Sequence, residues 1–185
     1  MKKATLIFAA LAIMFMANMN VKAACPNGWT EAGGTLYHDG CLYAYTYCYG
    51  LLNGLHCMSF NYISVQGPCD GDDYDNNKKE INDLILLQIG QYLESINFFG
   101  EPIPECPEGT MCLLRIYDAY CYSGWYSIKG WYFPIKCDDQ ELRSCNETIY
   151  YCWEDLGNGQ RILRVIRDGY MSGPPCPQGC NSSCE

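Results

Sequence analysis

The sequence predicts a β-rich α+β fold made of three repeated, disulfide-stapled β-hairpins and one amphipathic helix. Three observations predict it: an aromatic-Cys-aromatic pattern that occurs three times, turn signals between strand-forming runs, and one segment with helical periodicity. The chain has 185 residues, including 14 cysteines, 16 tyrosines, 21 acidic and 12 basic residues. This length allows one ordinary domain or two small ones, and we expect one.

The N-terminal segment has the pattern of a secretory signal peptide. Two lysines precede an apolar run over residues 4–17, and residues 21–23 (Val-Lys-Ala) end in the small residue of a cleavage site. We therefore expect residues 1–23 to be removed and residues 24–185 to form a single mature domain. The Met-Lys-Lys start is typical of bacterial exported proteins, so we expect a secreted, extracellular or cell-envelope protein.

All fourteen cysteines lie in the mature part of the chain, and their even number in an exported protein predicts seven disulfide bridges. Lipid attachment at Cys25 is the alternative. It would leave an odd number, and Lys22 stands where a lipoprotein signal carries a leucine-like residue. The cysteines expected in bridges are Cys25, Cys41, Cys48, Cys57, Cys69, Cys106, Cys112, Cys121, Cys137, Cys145, Cys152, Cys176, Cys180 and Cys184. Sequence alone selects no pairing among them.

Each hairpin module contains one aromatic-Cys-aromatic triplet, with a cysteine upstream and another downstream. The modules are predicted at about residues 41–69, 112–137 and 145–176, with triplets centred on Cys48, Cys121 and Cys152. Asn53-Gly54 and Asn158-Gly159 are strong turn signals for the first and third modules, and Ser123-Gly124 is the expected turn of the second. The repetition suggests a duplicated module.

One helix is predicted at about residues 78–95, between the first and second modules. Asn77 is the expected N-cap, and Glu80 completes a capping box. Apolar side chains recur on one arc that is broad enough to pack across a sheet. They are Ile81, Leu84, Ile85, Ile89, Tyr92, Leu93 and Ile96. Leu87 falls outside this arc and indicates a second contact, and residues 176–185 form a cysteine-pinned tail.

Four tyrosines alternate with other residues in the first strand of the first module. In a strand, Tyr43, Tyr45, Tyr47 and Tyr49 share one face at a spacing of about 7 Å. We interpret them as the best candidate binding surface, a flat aromatic platform for a glycan, a surface protein or another copy of the chain. The alternative is that the ladder packs under the helix or the next hairpin, because one face of such a sheet must be buried.

An acidic cluster precedes the predicted helix. Its members are Asp70, Asp72, Asp73 and Asp75. Carboxylates at this density could hold Ca²⁺ in an exported protein, and Ca²⁺ is the one cofactor that the sequence suggests. The EF-hand register fails, because Asp75 or Lys78 stands where that loop requires glycine. The alternative is a solvated turn whose charges favour the N-terminus of the following helix.

Composition and motifs argue against several function classes. The net charge of −9 disfavours nucleic-acid binding, and no stretch after residue 20 is apolar for long enough to span a bilayer. Nucleophile-elbow, phosphate-loop and zinc motifs are missing, so no catalytic residue is predicted. We expect a binding or structural protein, adhesive or part of an extracellular assembly. One alternative is a secreted inhibitor or toxin that presents residues 106–112. The other is an exported hydrolase with paired carboxylates, for which the candidates are Asp118, Asp138, Asp139, Glu141, Glu154 and Asp155.

Overall fold

The computed structural model describes residues 25–116, 121–137, 144–172 and 175–182. Within these ranges the chain forms nine strands and one helix, which is the β-rich α+β class that the sequence predicts. The strands are β1 (Thr30–His38), β2 (Cys41–Leu52), β3 (Leu55–Gln66), β4 (Met111–Arg115), β5 (Cys121–Ile128), β6 (Trp131–Lys136), β7 (Ser144–Gly157), β8 (Gln160–Ser172) and β9 (Asn181–Ser182). The helix, α1 (Gly71–Ser95), lies between β3 and β4 in the chain. No helix within these ranges has both the length and the apolar character needed to cross a membrane.

All nine strands belong to one mixed sheet that forks at β3. One edge of β3 pairs antiparallel with β2, which pairs in turn with β1. The other edge is shared, because β4 pairs parallel with Cys57 and Met58, whereas β6 pairs antiparallel with Val65 and Gln66. The sheet therefore has three arms. The first arm is β1–β2–β3, the second is β4–β7–β8, and the third is β6–β5–β9.

Two of the three predicted turns are confirmed. Asn53-Gly54 joins β2 to β3 and Asn158-Gly159 joins β7 to β8, and all four residues have positive φ, as a tight hairpin turn requires. The prediction for the second module is wrong: its turn is Lys129-Gly130. Ser123-Gly124 instead lies where the register between β5 and β6 shifts. Glycine adopts backbone conformations that other residues rarely adopt, and Gly124, with φ 152°, uses this property in a β-bulge and not in a turn.

The predicted repetition of one module is not confirmed. The bridges do not repeat, since Cys48 bonds backwards to Cys25 whereas Cys121 bonds forwards to Cys176. A further hairpin, β1–β2, also precedes the first predicted module. The triplet has a simpler origin in strand alternation, which sends a cysteine and its aromatic neighbours to opposite faces of the sheet. Any strand with an aromatic core face and a bridged outer face satisfies this pattern.

The helix begins seven residues earlier than predicted, at Gly71. Asp70 is the N-cap, and its side chain accepts hydrogen bonds from the backbone N–H groups of Asp72 and Asp73. The Asp73 side chain accepts from the backbone N–H of Asp70 at 3.0 Å, which completes a capping box. The carboxylates of Asp72 and Asp73 in the first turn also interact favourably with the positive end of the helix dipole, and Asn77 lies inside the helix.

The hydrophobic core lies between α1 and one face of the sheet. The helix contacts strands of all three arms, namely β1, β3, β6 and β8, so the sheet curves around it. Each fully buried aliphatic side chain contributes about 1.5–3 kcal/mol, which makes this contact the main source of stability. The fully buried side chains of α1 are Ile81, Ile85, Leu86, Ile89 and Leu93, and those of the sheet include Tyr43, Met58, Val65, Leu113, Ile149 and Tyr151.

Candidate functional site

The predicted tyrosine platform is an internal ladder. Tyr43, Tyr45, Tyr47 and Tyr49 share one face of β2, but α1 covers that face and the side chains are only 1–9% exposed. The rings of Tyr45 and Tyr47 stack with centroids 6.2 Å apart, and the Tyr45 hydroxyl donates to Oε1 of Gln88 in α1 at 2.8 Å. The expectation of an exposed surface is therefore corrected. The sheet buries its aromatic face because that face carries the largest apolar area.

Burial also changes the acid–base chemistry of this ladder. Desolvation raises the pKa of Tyr45 to about 12. Desolvation raises the pKa of Tyr47 as well, and the neighbouring Tyr45, Tyr92 and Tyr49 add to the effect. The pKa of Tyr43 rises through burial and through the charges of nearby carboxylates. These hydroxyls therefore stay protonated at neutral pH and serve as packing and hydrogen-bonding groups.

The acidic cluster is used by the start of α1. Asp70 and Asp73 form the capping box, and the backbone N–H of Asp72 donates to the Asp70 side chain. The Asp75 carboxylate accepts hydrogen bonds from the Tyr122 hydroxyl and from Nε1 of Trp125. Among the residues that the structure describes, no three His, Cys, Asp or Glu side chains gather into a metal-binding group. This geometry gives the Ca²⁺ hypothesis no support. It matches the sequence alternative, in which the charges favour the helix N-terminus.

A groove of about 560 Å³ runs between α1 and β8. The helix lines it with two apolar side chains, Leu84 and Leu87, and with the polar residues Asn76, Asn77, Lys79, Glu80 and Asp83. Four consecutive residues of β8, numbers 162–165, form the other wall. Successive strand residues point to opposite faces, so a wall of four in a row is the backbone edge of the strand. Within the described ranges β8 pairs with β7 alone, and this second edge borders the groove.

Three of the four charged side chains that line the groove, Lys79, Asp83 and Arg164, form ion pairs, and the fourth, Glu80, contacts His38. Lys79 Nζ lies 2.9 Å from Oδ2 of Asp83, and Arg164 donates from Nε to the carboxylate of Glu154. Exposed pairs of this kind add little stability, but each one cancels a local charge. The groove therefore offers apolar surface and backbone hydrogen-bonding groups rather than a net charge.

The end of β1 contacts the same stripe of α1 that lines the groove. Nε2 of His38, at the end of β1, is 3.3 Å from Oε1 of Glu80. Gly34 of β1 lies against the Tyr45 hydroxyl, which in turn bonds to Gln88 of α1. Among the described strands β1 pairs only with β2. The edges of the first and second arms thus flank one stripe of α1, and the sheet is open there.

A chain of charges fixes β8 beside α1. Nη1 of Arg115 lies 3.3 Å from Oε2 of Glu147, whose Oε1 accepts from Nε of Arg167. Nη1 of Arg167 then donates to Oδ1 of Asp83 at 2.9 Å. Burial alone would raise the pKa of Asp83, but hydrogen bonds from Lys79 and Arg167 outweigh it and hold that pKa below its usual value. This chain of charges therefore connects the two walls of the groove, α1 and β8, beside the residues that line it.

The carboxylates of the hydrolase alternative do not form a pair in the described part of the chain. Glu154 binds Arg164, whose hydrogen bond lowers the pKa of that carboxyl, whereas a general acid needs a raised pKa. Oδ1 of Asp155 accepts from the backbone N–H of Gly157 at 2.7 Å in the β7–β8 turn. Asp118, Asp138, Asp139 and Glu141 lie outside the described residues.

Five disulfide bridges are present in the described ranges. They are Cys25–Cys48, Cys41–Cys69, Cys106–Cys152, Cys121–Cys176 and Cys137–Cys180. The protein is thus disulfide-rich, as is typical of extracellular proteins, because disulfides persist in oxidising compartments and reducing compartments keep thiols reduced. Cys57 and Cys112 are unpaired, and the side chains of Cys145 and Cys184 are not described, so bridges at these four stay predictions.

The segment 106–112 of the inhibitor alternative is not closed by its own two cysteines.

Sequence reasoning does not find the groove. Leu87 is its one local signal, because this leucine falls outside the core-facing arc of the helix and lines the groove. No protein-family model matches the chain, and neither curated proteins nor solved structures show a significant match to it.

Proposed function

We propose that this protein is an extracellular binding module that holds an extended segment of another polypeptide in the groove between α1 and β8. The observation that carries the proposal is that four consecutive residues of β8, numbers 162–165, line an open groove on a strand that pairs with β7 alone within the described ranges. Export directed by residues 1–23 is part of the proposal. It gives a specific form to the adhesive or assembly role that composition predicts.

The chemistry of the groove fits a polypeptide strand. The N–H and C=O groups on the second edge of β8 match the backbone of an added strand, which supplies donors and acceptors at the same spacing. Every second side chain of that strand would face α1, where Leu84 and Leu87 offer apolar surface. Because Lys79 and Asp83 neutralise each other, an uncharged, apolar pattern suits the groove better than an acidic or basic one.

The connection between the two walls of the groove favours binding. Arg167 of β8 contacts Glu147 of β7 and Asp83 of α1, and these contacts hold β8 beside the helix. The bridge Cys106–Cys152 further ties β7 to the segment that precedes β4. A site that is already formed avoids the entropy cost of ordering its own residues, and that cost otherwise reduces affinity.

The test is selection from a phage-displayed library of random peptides on the folded, disulfide-bonded protein. We expect enriched peptides with apolar residues at alternate positions. Ile162→Glu places a charge in the groove wall and should weaken their binding at least 10-fold, which corresponds to about 1.4 kcal/mol. Ile166→Glu is the matched control, since Ile166 is an exposed isoleucine on the same strand and the same face, outside the groove.

Two results would contradict the proposal. One is the failure of any peptide to enrich on the folded protein relative to the reduced and unfolded protein. The other is an equal loss of binding in Ile162→Glu and Ile166→Glu, because a ligand that responds to both binds the outer face of β8 and not its edge.

A further inference from the structure

The first and second arms of the sheet meet at a small junction. β3 and β4 pair through only two residue pairs, Cys57↔Leu114 and Met58↔Arg115. One more backbone hydrogen bond, from the N–H of Ile116 to the carbonyl of Met58, extends the contact at 2.9 Å. By comparison, β7 and β8 pair along nearly their whole length. The groove depends on this junction, because the second arm supplies one of its walls.

None of the five bridges in the described ranges crosses this junction. The bridge Cys25–Cys48 ties β2 to the segment before β1, and the bridge Cys41–Cys69 ties β2 to the segment just before α1. The bridge Cys106–Cys152 stays with the second arm. The remaining two join the ends of β5 and β6 to the tail that leads into β9. These five bridges therefore leave the junction between β3 and β4 without a covalent connection.

The two unpaired cysteines lie on either side of the junction. Cys57 of β3 is fully buried and stands opposite Leu114, and Cys112 of β4 is exposed and lies two residues before Leu114. Residues two apart in a strand share a face, so both thiols lie on the face of the sheet opposite Met58 and the core. Burial raises the pKa of the Cys57 thiol, and the nearby Cys112 raises it further, which is consistent with their proximity.

We propose that Cys57 and Cys112 close into a disulfide in the exported protein and so join the first and second arms at their junction. The proposal rests on the export that is part of the proposed function. In this parallel pair a strand spacing of about 4.8 Å and a rise of about 3.3 Å per residue place Cα atoms offset by two residues about 8 Å apart, beyond the usual Cα span of a disulfide. Closure therefore shifts β4 along β3 together with β7, to which β4 is paired over all five of its residues, and the short junction with β3 is where the shift occurs.

Exposure sets the order of the chemical steps. The oxidant is a disulfide of a thiol–disulfide exchange protein, and only Cys112 is accessible to it. The Cys112 thiolate attacks that disulfide, forms a mixed disulfide and releases one thiol of the oxidant. The thiolate of the buried Cys57 then attacks Cys112 Sγ and displaces the second thiol. In total, two thiols of this chain lose two electrons and two protons, and the oxidant becomes a dithiol.

The test is to map the bridge in the full chain, exported and purified without reductant. Free thiols are first alkylated, and cyanogen bromide then cleaves after Met58 and Met111, which separates Cys57 from Cys69 and Cys106 from Cys112. Chymotryptic digestion follows. We expect a linked pair of peptides that contains Cys57 and Cys112 and separates on reduction. In Cys57→Ser, Cys112 should become open to alkylation, and the Tm should fall by roughly 5–15 °C because the closed loop is long.

Alkylation of both Cys57 and Cys112 in the unreduced protein would overturn the proposal, as would a bond from either one to another cysteine or to a second molecule. The mapping needs only the wild-type chain, so a variant that fails to fold does not affect it. Peptide binding by a protein alkylated at both positions would overturn the bridge and leave the proposed function standing. A mapped Cys57–Cys112 bridge in a protein that binds no peptide would support the bridge and contradict the proposed function.

Discussion

Two glycines determine how closely α1 approaches the sheet. A Cβ atom at Gly71 would lie 1.9 Å from Cγ of Trp125, and one at Gly90 would lie 2.5 Å from Cε1 of Tyr151. The Tyr151 ring has no freedom to move away, since it is fully buried and its hydroxyl donates to the carbonyl of Leu86 at 2.9 Å. The missing side chains are thus part of the packing between helix and sheet.

Gly90→Ala tests this contact because helix propensity and packing predict opposite signs. Propensity alone would stabilise the protein by about 1 kcal/mol, since alanine favours a helix over glycine. Overpacking a fixed ring costs about 1–3 kcal/mol, and we expect this cost to dominate. The measurement is the free energy of unfolding in urea. Gln91→Ala, at an exposed position of the same helix, is the control and should change little. A more stable Gly90→Ala protein would show that the contact is looser than described.

At the scale of the element, the start of α1 shows how a local competition is decided. Asn77 with Glu80 and Asp70 with Asp73 are both valid capping boxes in sequence. The second prevails because it adds nearly two turns to the helix, including Tyr74, which is buried against Tyr43 and Trp125. Tertiary burial thus selects between two caps that local rules rank equally.

Asp70→Ala should therefore destabilise the protein by about 1 kcal/mol, since it removes the acceptor of the N–H groups of Asp72 and Asp73. Asp72→Ala is the matched control, because this carboxylate lies in the same first turn and is not the N-cap. It should cost less than about half as much, through the helix dipole alone. Thermal unfolding followed by circular dichroism measures both changes. Equal losses would mean that total charge, and not the cap, stabilises this end of α1.

How far the sequence predicts an element depends on the range of the interactions that decide it. Asn53-Gly54 is predictable, because a tight turn needs positive φ at both residues whatever surrounds it. Alternation predicts that Tyr43 and Tyr45 share a face. Whether that face is buried depends on where α1 packs, which no local pattern encodes. The groove is harder still to predict, since it depends on β8 being the last strand of its arm among the strands that the structure describes.

At the scale of the whole molecule, one helix holds together an open, forked sheet. The tyrosine ladder is central to this arrangement, because it joins the first arm to α1 through packing and through the Tyr45–Gln88 hydrogen bond. The arms share few direct backbone contacts at β3. Loss of the packing between α1 and the ladder should therefore unfold the molecule as a unit, and the acid–base properties of the ladder should be visible in global stability.

The raised pKa of Tyr45 predicts that the stability of the fold decreases at alkaline pH. Burial raises its pKa from 10.0 to about 12, so the folded protein holds the phenolic proton more tightly than the unfolded chain does. The resulting stability is fully present below pH 10 and is lost as the pH rises through about 12. The stability advantage of the wild type over Tyr45→Phe, which keeps the ring but cannot ionise, should shrink by on the order of 2–3 kcal/mol across this window. Urea unfolding at a series of alkaline pH values measures the difference, with tyrosinate absorbance reporting ionisation. A difference that stays constant from neutral pH to pH 12 would show that Tyr45 ionises without leaving the core, and that the ladder does not couple its protonation to the fold.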